Sequence, residues 1–401
     1  MSINNQHKPG YKHTPLGWIP EEWRVKQVGD VCNFIVPGRN RPTSFDGEIP
    51  WITTPDLDSK ATVFSSKSNL KISREEAKKV GSKIVPKNSI IMSCVGELGL
   101  LCIAGNEIVL NQQLHAFIPK EEVDHLYLFY ALGIRKKYME RVATKTAVPY
   151  MNKDNCNSIP ILLPSLIEQL KIAAVFSTWD KAITKTQQLI AQLQQRNKAL
   201  MQALLSGKKR LKGFEGEWKK EELENVLDYE QPTNYLTNNF VDEKSDGCIP
   251  VLTANKAVVL GYTNETVGIY TNHPVIIFDD FTTASKYIDF DFKVKSSAIK
   301  FLSAKRGYNL RYVFERLQLI QTNIAEHKRR WISEFTKKAI FFPSFEEQSE
   351  VALVISRAVG EVKLYEQKLA ALQHQKKGLM QKLLTGEVRV KIDNNENNEN
   401  E

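Results

Sequence analysis

Apolar residues along 161–210 fall on a heptad seam, and the same pattern returns without a gap along 340–389. Ile183, Ile190 and Leu204 take one seam position, and Leu193 and Leu200 the other. In the second copy Val362, Leu369 and Leu383, with Leu372 and Leu379, stand in the equivalent places. Two apolar seam positions per seven residues are the signature of helices that pack along their length. Pro164 aligns on Pro343, Glu168-Gln169 on Glu347-Gln348, and Leu200-Met201-Gln202 on Leu379-Met380-Gln381. Each copy predicts one long helix. Ser165 and Ser344, each three residues before a glutamate, write a capping box. Ser206-Gly207 and Thr385-Gly386 close the copies, as glycine does where the chain turns left-handed past a helix end. The polar exceptions coincide too, since Asn197 and Lys376 share one seam position, a device that fixes register at some cost in stability. Two unrelated amphipathic helices would not align gaplessly, so the pattern predicts a paired coiled coil.

Before each helix lies a block of short apolar runs broken by Gly, Pro, Asn and Asp, such as SIIM at 89–92 and VIIF at 275–278. These read as strands, and a helical stretch near the end of each block (123–141 and 309–324) makes each a mixed domain. The blocks echo each other faintly. Trp23 matches Trp218, and GEIPWIT at 47–53 returns as GCIPVLT at 247–253. The expected order is a first domain over 1–160, a helix over 161–210, a second domain over 211–339 and a helix over 340–390. The polar tail 391–401 is expected to be disordered. Domains keep their termini close together, so the two helices should run antiparallel. The predicted fold class is α+β, with two mixed domains at opposite ends of a long antiparallel two-helix coiled coil and a pseudo-two-fold internal repeat. A helix of about 42 residues spans roughly 60 Å. Two dissimilar domains held that far apart suit two different half-sites on one duplex.

Composition narrows the class. The chain has 401 residues, 42% hydrophobic and 25% charged, with a formal net charge of +9. A basic excess suits a polyanionic partner. Cys32, Cys94, Cys102, Cys156 and Cys248 form no CxxC pair, so neither a disulfide framework nor a zinc site is implied and a reducing cytoplasm is the expected home. The N-terminal stretch lacks an apolar signal core. The most apolar window, 89–104, is too short for a membrane span and contains Glu97. No nucleotide-binding P-loop, HExxH helix, nucleophile elbow or Asn/Asp-Pro-Pro-aromatic methyltransferase motif is written. No catalytic residue is therefore expected.

Candidate DNA contacts follow from side-chain chemistry. Arg39 and Arg41 sit in GRNRPTS (38–44), where guanidinium groups on a loop can meet guanine edges or phosphates; an ordinary solvated loop would look the same. Asn111, Gln112 and Gln113 follow an apolar run, and amides pair naturally with adenine, although structural amides in a turn fit as well. Thr53, Thr54, Lys145 and Lys153 are weaker candidates. In the second block His327, Lys328, Arg329 and Arg330 precede Trp331, a cluster fit for phosphate clamping. Asn255, Lys256, Thr282, Thr283, Ser285 and Lys286 lie on expected loops as secondary contacts. Asp279 or Asp280, with Asp291 and Lys293, imitate the acidic pair and lysine of a metal-dependent nuclease, although carboxylates at strand ends are common.

Taken together, these residues resemble the specificity subunits of type I restriction–modification enzymes over nearly the whole chain. The resemblance rests on the PS-x-x-EQ helix openings, the helix ends LMQALLSG and LMQKLLTG, the phrase GFEGEW, and the domain–helix–domain–helix order. The second block adds YEQPTNY (229–235), VLTANK (251–256), LGYTNETVGIY (260–270), PVIIFDDFTTASK (274–286) and HKRRWIS (327–333). It implies a non-catalytic reader of a split, asymmetric double-stranded DNA target, with the helices acting as a spacer. It implies two modification subunits that bind S-adenosylmethionine and methylate adenine, and restriction subunits that use ATP and Mg2+; no cofactor or metal is expected on this chain. Two other readings compete. One is a stand-alone metal nuclease, and the other a coiled-coil adaptor that binds no DNA.

Overall fold

The computed structural model describes residues 8–38, 40–57, 62–244, 247–253, 258–320 and 330–392. Two compact units divide the chain, Met1–Gln187 with Lys368–Glu401, and Gln188–Gln367. The division differs from the segments read in the sequence, because each unit takes part of both long helices.

In the first unit β1 (Arg24–Gln27), the short helix α1 (Val28–Val31) and β2 (Cys32–Ile35) lead into two sheets. One sheet has the order β2, β7 (Leu114–Pro119), β4 (Ile90–Ser93), β5 (Leu101–Ala104), then Thr62–Val63. β7 runs antiparallel to both neighbours, with His115 opposite Met92. All four residues of β4 are buried, as expected of a strand covered on both faces. The second sheet is built on β3 (Ile49–Ile52) and β6 (Ile108–Leu110), which are parallel with Val109 opposite Trp51. The helical stretch expected over 123–141 is two helices, α2 (His125–Gly133) and α3 (Lys136–Val142). The break follows Gly133, a poor residue for a helix interior. A further short helix, α4 (Lys153–Asn157), precedes β8 (Pro160–Leu163), which pairs antiparallel with β1. Trp23, Tyr127, Phe117 and Phe176 fill the core between sheet and helices.

The long helix α5 (Leu166–Leu205) follows, 40 residues against the expected 42 or so. The second unit then repeats the plan of the first. β9 (Lys219–Glu222), α6 (Leu223–Val226) and β10 (Leu227–Glu230) stand where β1, α1 and β2 stood. β11 (Ile249–Leu252) pairs with β12 (Val259–Thr263) and, in parallel, with Lys293–Val294, here β15. β13 (Val275–Asp279) and β14 (Ser285–Ile288) form a hairpin. With β16 (Ile299–Ala304) they make the sheet β10-β16-β13-β14. α7 (Leu310–Gln318) lies against it, shorter than the 309–324 stretch expected, and β17 (Ala339–Phe342) pairs with β9 before α8 (Phe345–Leu383). Trp331, Tyr312, Phe278 and Ile355 fill this core.

The helix openings explain why Pro-Ser-x-x-Glu-Gln is written twice. Ser165 and Ser344 hydroxyls accept the amide N–H of Glu168 and Glu347, each at 3.3 Å. The reciprocal arm of the expected capping box is missing, because each glutamate is used elsewhere. In the first unit the buried Glu168 accepts from Arg389 (2.6 and 2.9 Å) and from the Trp23 indole N–H (3.0 Å). In the second unit Glu347 takes the Arg210 guanidinium, at 2.9 and 2.5 Å. Hydrogen bonding to Glu347 raises the Arg210 pKa further, and Glu168 does the same for Arg389. Gln169 and Gln348 each tie the helix start to a neighbouring helix, their side-chain oxygens accepting the N–H of Asp124 (2.9 Å) and Asn309 (3.0 Å). Those residues cap α2 and α7 in turn.

Within each unit the portions of α5 and α8 run in opposite directions. In the first, Glu168 meets Arg389 and Asp180 meets Lys376. In the second, Arg196 meets Glu361 and Arg210 meets Glu347. Ile190, Leu193, Asn197, Leu204 and Leu383 are buried, while Ile183, Leu200, Val362, Leu369, Leu372, Lys376 and Leu379 are half-buried. The two polar seam residues are satisfied differently. Asn197 donates to the Ala358 carbonyl (2.7 Å) and accepts from Arg196 (3.0 Å). Lys376 donates to Asp180 (2.5 Å) and lies over the Tyr130 ring, while the Tyr130 hydroxyl donates to the same carboxylate (2.7 Å).

Candidate nucleic-acid interface

In the first unit the candidates gather at the carboxyl ends of the parallel strands β3 and β6. The chain leaves β6 through Asn111, Gln112 and Gln113 and turns into β7. The Asn111 amide donates to the Ile52 carbonyl at 2.9 Å, fixing this turn beside the end of β3. The Gln113 side-chain oxygen accepts from the Thr54 hydroxyl (3.0 Å) and from the Asn111 side-chain amide (3.3 Å). Thr53 is held by Asp56, whose carboxylate accepts both its N–H and its hydroxyl at 2.7 Å. Gln112 is exposed. Arg41, also exposed, has its guanidinium 5.8 Å from the ring centroid of Trp51 in β3. The rim thus offers an arginine spread on an aromatic face, a presented glutamine and a pre-bonded amide pair. These are the groups that hydrogen-bond base edges and phosphates. Arg39 lies outside the described residues. Lys145 and Lys153 are exposed, and Lys145 lines a separate cleft with Lys136, Glu140 and Thr144.

The second unit has a related rim. Its parallel pair is β11 and β15, and Asn255 and Lys256, which follow β11, lie outside the described residues. The turn after β15 joins this rim to the β13–β14 hairpin, since Lys295 N–H donates to the Leu252 carbonyl (3.3 Å) and Asp280 N–H to the Ala298 carbonyl (2.9 Å). At the hairpin tip the Asp279 carboxylate accepts the N–H of Phe281 (3.0 Å) and Thr282 (2.8 Å). Thr283 there has φ 58°, the left-handed region that β-branched residues avoid. Thr282 is exposed and Lys286 half-buried, whereas Ser285 is buried and accepts from Gln318 at 2.7 Å. Lys295, exposed beside the Phe240 ring, is a cation on this rim that sequence reading passed over. Nothing in its local sequence marks it.

The basic cluster before Trp331 requires a correction. His327, Lys328 and Arg329 lie outside the described residues, but Arg330 is only 2% exposed. Its guanidinium pairs with Glu334 (3.1 Å), and its main chain donates to the Asp280 carbonyl (2.9 Å). A buried, paired arginine one helical turn from its carboxylate is part of the core, and so is the fully buried Trp331. The acidic triplet has the structural use weighed against a nuclease centre in the sequence. Asp280 is buried against Lys300 (3.4 Å) and the Trp331 N–H (2.8 Å). Asp291 pairs with His273 at 3.2 Å, and Lys293 with Glu265 at 2.9 Å. Each member has its own structural partner, so no nuclease centre forms from them. Hydrogen bonds from Lys293 and Thr237 hold the Glu265 carboxyl below its usual range.

Among the described residues, one cluster of metal-ligand type exists, and it joins Cys94, His115 and Cys156, all buried. Their positions in sequence carry no recognisable spacing, which is why no site was expected.

The comparisons with known proteins accord with this architecture. Residues 20–195 match the family model of the type I restriction modification DNA specificity domain. A type I restriction enzyme specificity subunit from Escherichia coli is 45% identical over 162 residues, 37% of this chain and 39% of that protein. One from Methanocaldococcus jannaschii is 29% identical over 178 residues, 43% of this chain and 41% of that protein. The chain thus matches about two-fifths of the length of these relatives. A crystal structure of the S subunit from M. genitalium has a TM-score of 0.62 at 14% identity, covering 90% of this chain and 96% of that one. A structure described as underlying complex assembly and conformational transition of the type I R-M system has a TM-score of 0.57, also at 14% identity, over 92% and 99% of the two chains. The fold is therefore that of a type I S subunit. The sequence similarity to the type I restriction modification DNA specificity domain lies in residues 20–195.

Proposed function

We propose that this chain is the non-catalytic specificity subunit of a type I restriction–modification assembly, reading a bipartite asymmetric DNA target. The observation that carries the reading is the family match over 20–195, which takes in the whole rim of Arg41, Thr54 and Asn111–Gln113. In this reading each unit reads one half-site: Arg41 and Gln112 serve in the first, and the β13–β14 hairpin with Asn255 and Lys256 in the second. The two rims present different exposed side chains, Arg41 and Gln112 against Thr282 and Lys295, so in this reading the two half-sites differ. The helices α5 and α8 form an antiparallel coiled-coil spacer with the recognition domains at opposite ends, which the opposed ion pairs within each unit support. Their outward faces dock two modification subunits, which bring S-adenosylmethionine and methylate adenine. Restriction subunits add ATP- and Mg2+-dependent translocation and cleavage. The chain itself supplies no catalytic group and works in the bacterial cytoplasm; no helix among the described residues is long and apolar enough to cross a membrane.

The test is the methylome of the native cell with this gene intact and deleted. Methyladenine at one split asymmetric motif should vanish on deletion and return on complementation. A methylome unchanged on deletion, with the modification subunits expressed, would overturn the proposal.

A further inference from the structure

Three ligand-type side chains meet inside the first unit from distant parts of the chain. Cys94 follows the buried strand β4, His115 lies on β7, and Cys156 lies on α4. Cys94 Sγ and Cys156 Sγ are 3.6 Å apart, and Cys156 Sγ is 3.5 Å from His115 Nδ1. All three ligand atoms lie within 4.8 Å of one another, and the residues are 1%, 7% and 0% exposed. Zinc bonds of about 2.3 Å to sulfur and about 2.05 Å to nitrogen, at tetrahedral angles, set edges of about 3.8 Å between sulfurs and about 3.5 Å between sulfur and nitrogen. Both recorded distances sit close to those edges. Two thiols and an imidazole are also the donor set that borderline-soft cations prefer to hard ones. We propose that Cys94, His115 and Cys156 form a buried binding site for a zinc-class divalent ion.

The three side chains supply three of four tetrahedral positions, as in Cys2His sites that keep one position for water. The Met92 carbonyl oxygen, 3.5 Å from Cys94 Sγ, is the alternative fourth donor. The ion would tie α4 to the sheet beneath it. Cys94 is bonded on both sides to segments that matter: its N–H donates to the Gln113 carbonyl (2.8 Å), and its carbonyl accepts the Met151 N–H (2.9 Å). Metal binding therefore stiffens the turn that presents Gln112, although the site stands whether or not that turn touches DNA.

Elemental analysis of the full-length chain, purified under reducing conditions without chelator, tests the proposal. About one zinc per chain is expected for the native protein and for Cys248→Ser, and its loss in Cys156→Ser and in His115→Ala. Should the variants fail to fold, the native chain gives the answer alone. After stripping with a chelator, Co2+ should restore a thiolate-to-cobalt charge-transfer absorption, and zinc should protect Cys94 and Cys156 from alkylation. Native protein holding no more metal than Cys156→Ser, with no cobalt band, would overturn the proposal. So would recovery of a Cys94–Cys156 disulfide from metal-free native chain that Co2+ and zinc leave unchanged.

Discussion

Asp280 and Lys300 illustrate how one residue's environment decides between catalysis and structure. Both are essentially without solvent, at 2% and 1% exposure, and Lys300 also donates to the Gln231 side-chain oxygen at 2.7 Å. Removing one member of a buried pair strands the other charge, at a cost of about 3–5 kcal/mol. Lys300→Met is therefore expected to destabilise the second unit by that amount, read as faster hydrogen exchange in β13 and β16 and an earlier urea transition for that unit. On the proposed function no Mg2+-dependent DNA cleavage is lost with it, since the chain is read as supplying none. Thr283 offers the opposite case, a residue whose native conformation is strained. A left-handed backbone costs an L-residue about 1–2 kcal/mol relative to glycine, so Thr283→Gly should stabilise the hairpin by about 1 kcal/mol in the same urea experiment. If the threonine side chain meets DNA, as proposed, that gain comes with weaker binding at the second half-site. Unchanged binding would leave the strain without a role in recognition.

Among the elements, the paired helix openings make a comparison that one sequence repeat alone would not predict. Glu168 and Glu347 occupy equivalent repeat positions, are each 1% exposed, and each hold an arginine from the end of the other copy. Only Glu168 also accepts an indole N–H, that of Trp23; the Trp218 indole nitrogen in the second unit has no hydrogen-bond partner among the described residues. Glu168→Ala should therefore cost more than Glu347→Ala, by the roughly 1–3 kcal/mol of leaving a buried donor unsatisfied. Unfolding of the two variants under one set of conditions measures the difference, and equal losses would remove the indole bond from the account. The openings were legible in the sequence as Pro-Ser-x-x-Glu-Gln, because caps are local chemistry. The destination of the glutamate was not legible, because Arg389 lies 221 residues away. The same distinction covers the candidate site. The turn Asn111–Gln113 could be read from an apolar run ending in amides. The burial of Arg330 and the meeting of Cys94 with Cys156 depend on tertiary packing, which no local spacing encodes.

For the whole molecule, the repeat is the property from which the proposed function draws most. The two units share the plan of strand, short helix, strand and hairpin sheet, yet their rims present different exposed side chains, Arg41 and Gln112 against Thr282 and Lys295, as a reader of two different half-sites requires. On that proposal α5 and α8 set the distance between the rims, so their length should appear in the DNA target. An insertion of one heptad in α5 between Ile190 and Asn197, with another at the facing level of α8, keeps every seam residue on its side. It lengthens the helices by about 10.5 Å at 1.5 Å per residue. Base pairs stack at about 3.4 Å, so the unspecified gap in the methylated motif should grow by about three base pairs while both half-sites stay the same. An insertion of two residues instead rotates the seam by roughly 200°, turning apolar residues to water, and should abolish methylation altogether. Sequencing methyladenine in cells carrying each variant separates these outcomes. A gap that keeps its native length in the heptad variant, with methylation intact, would mean that something other than these helices spaces the two readers.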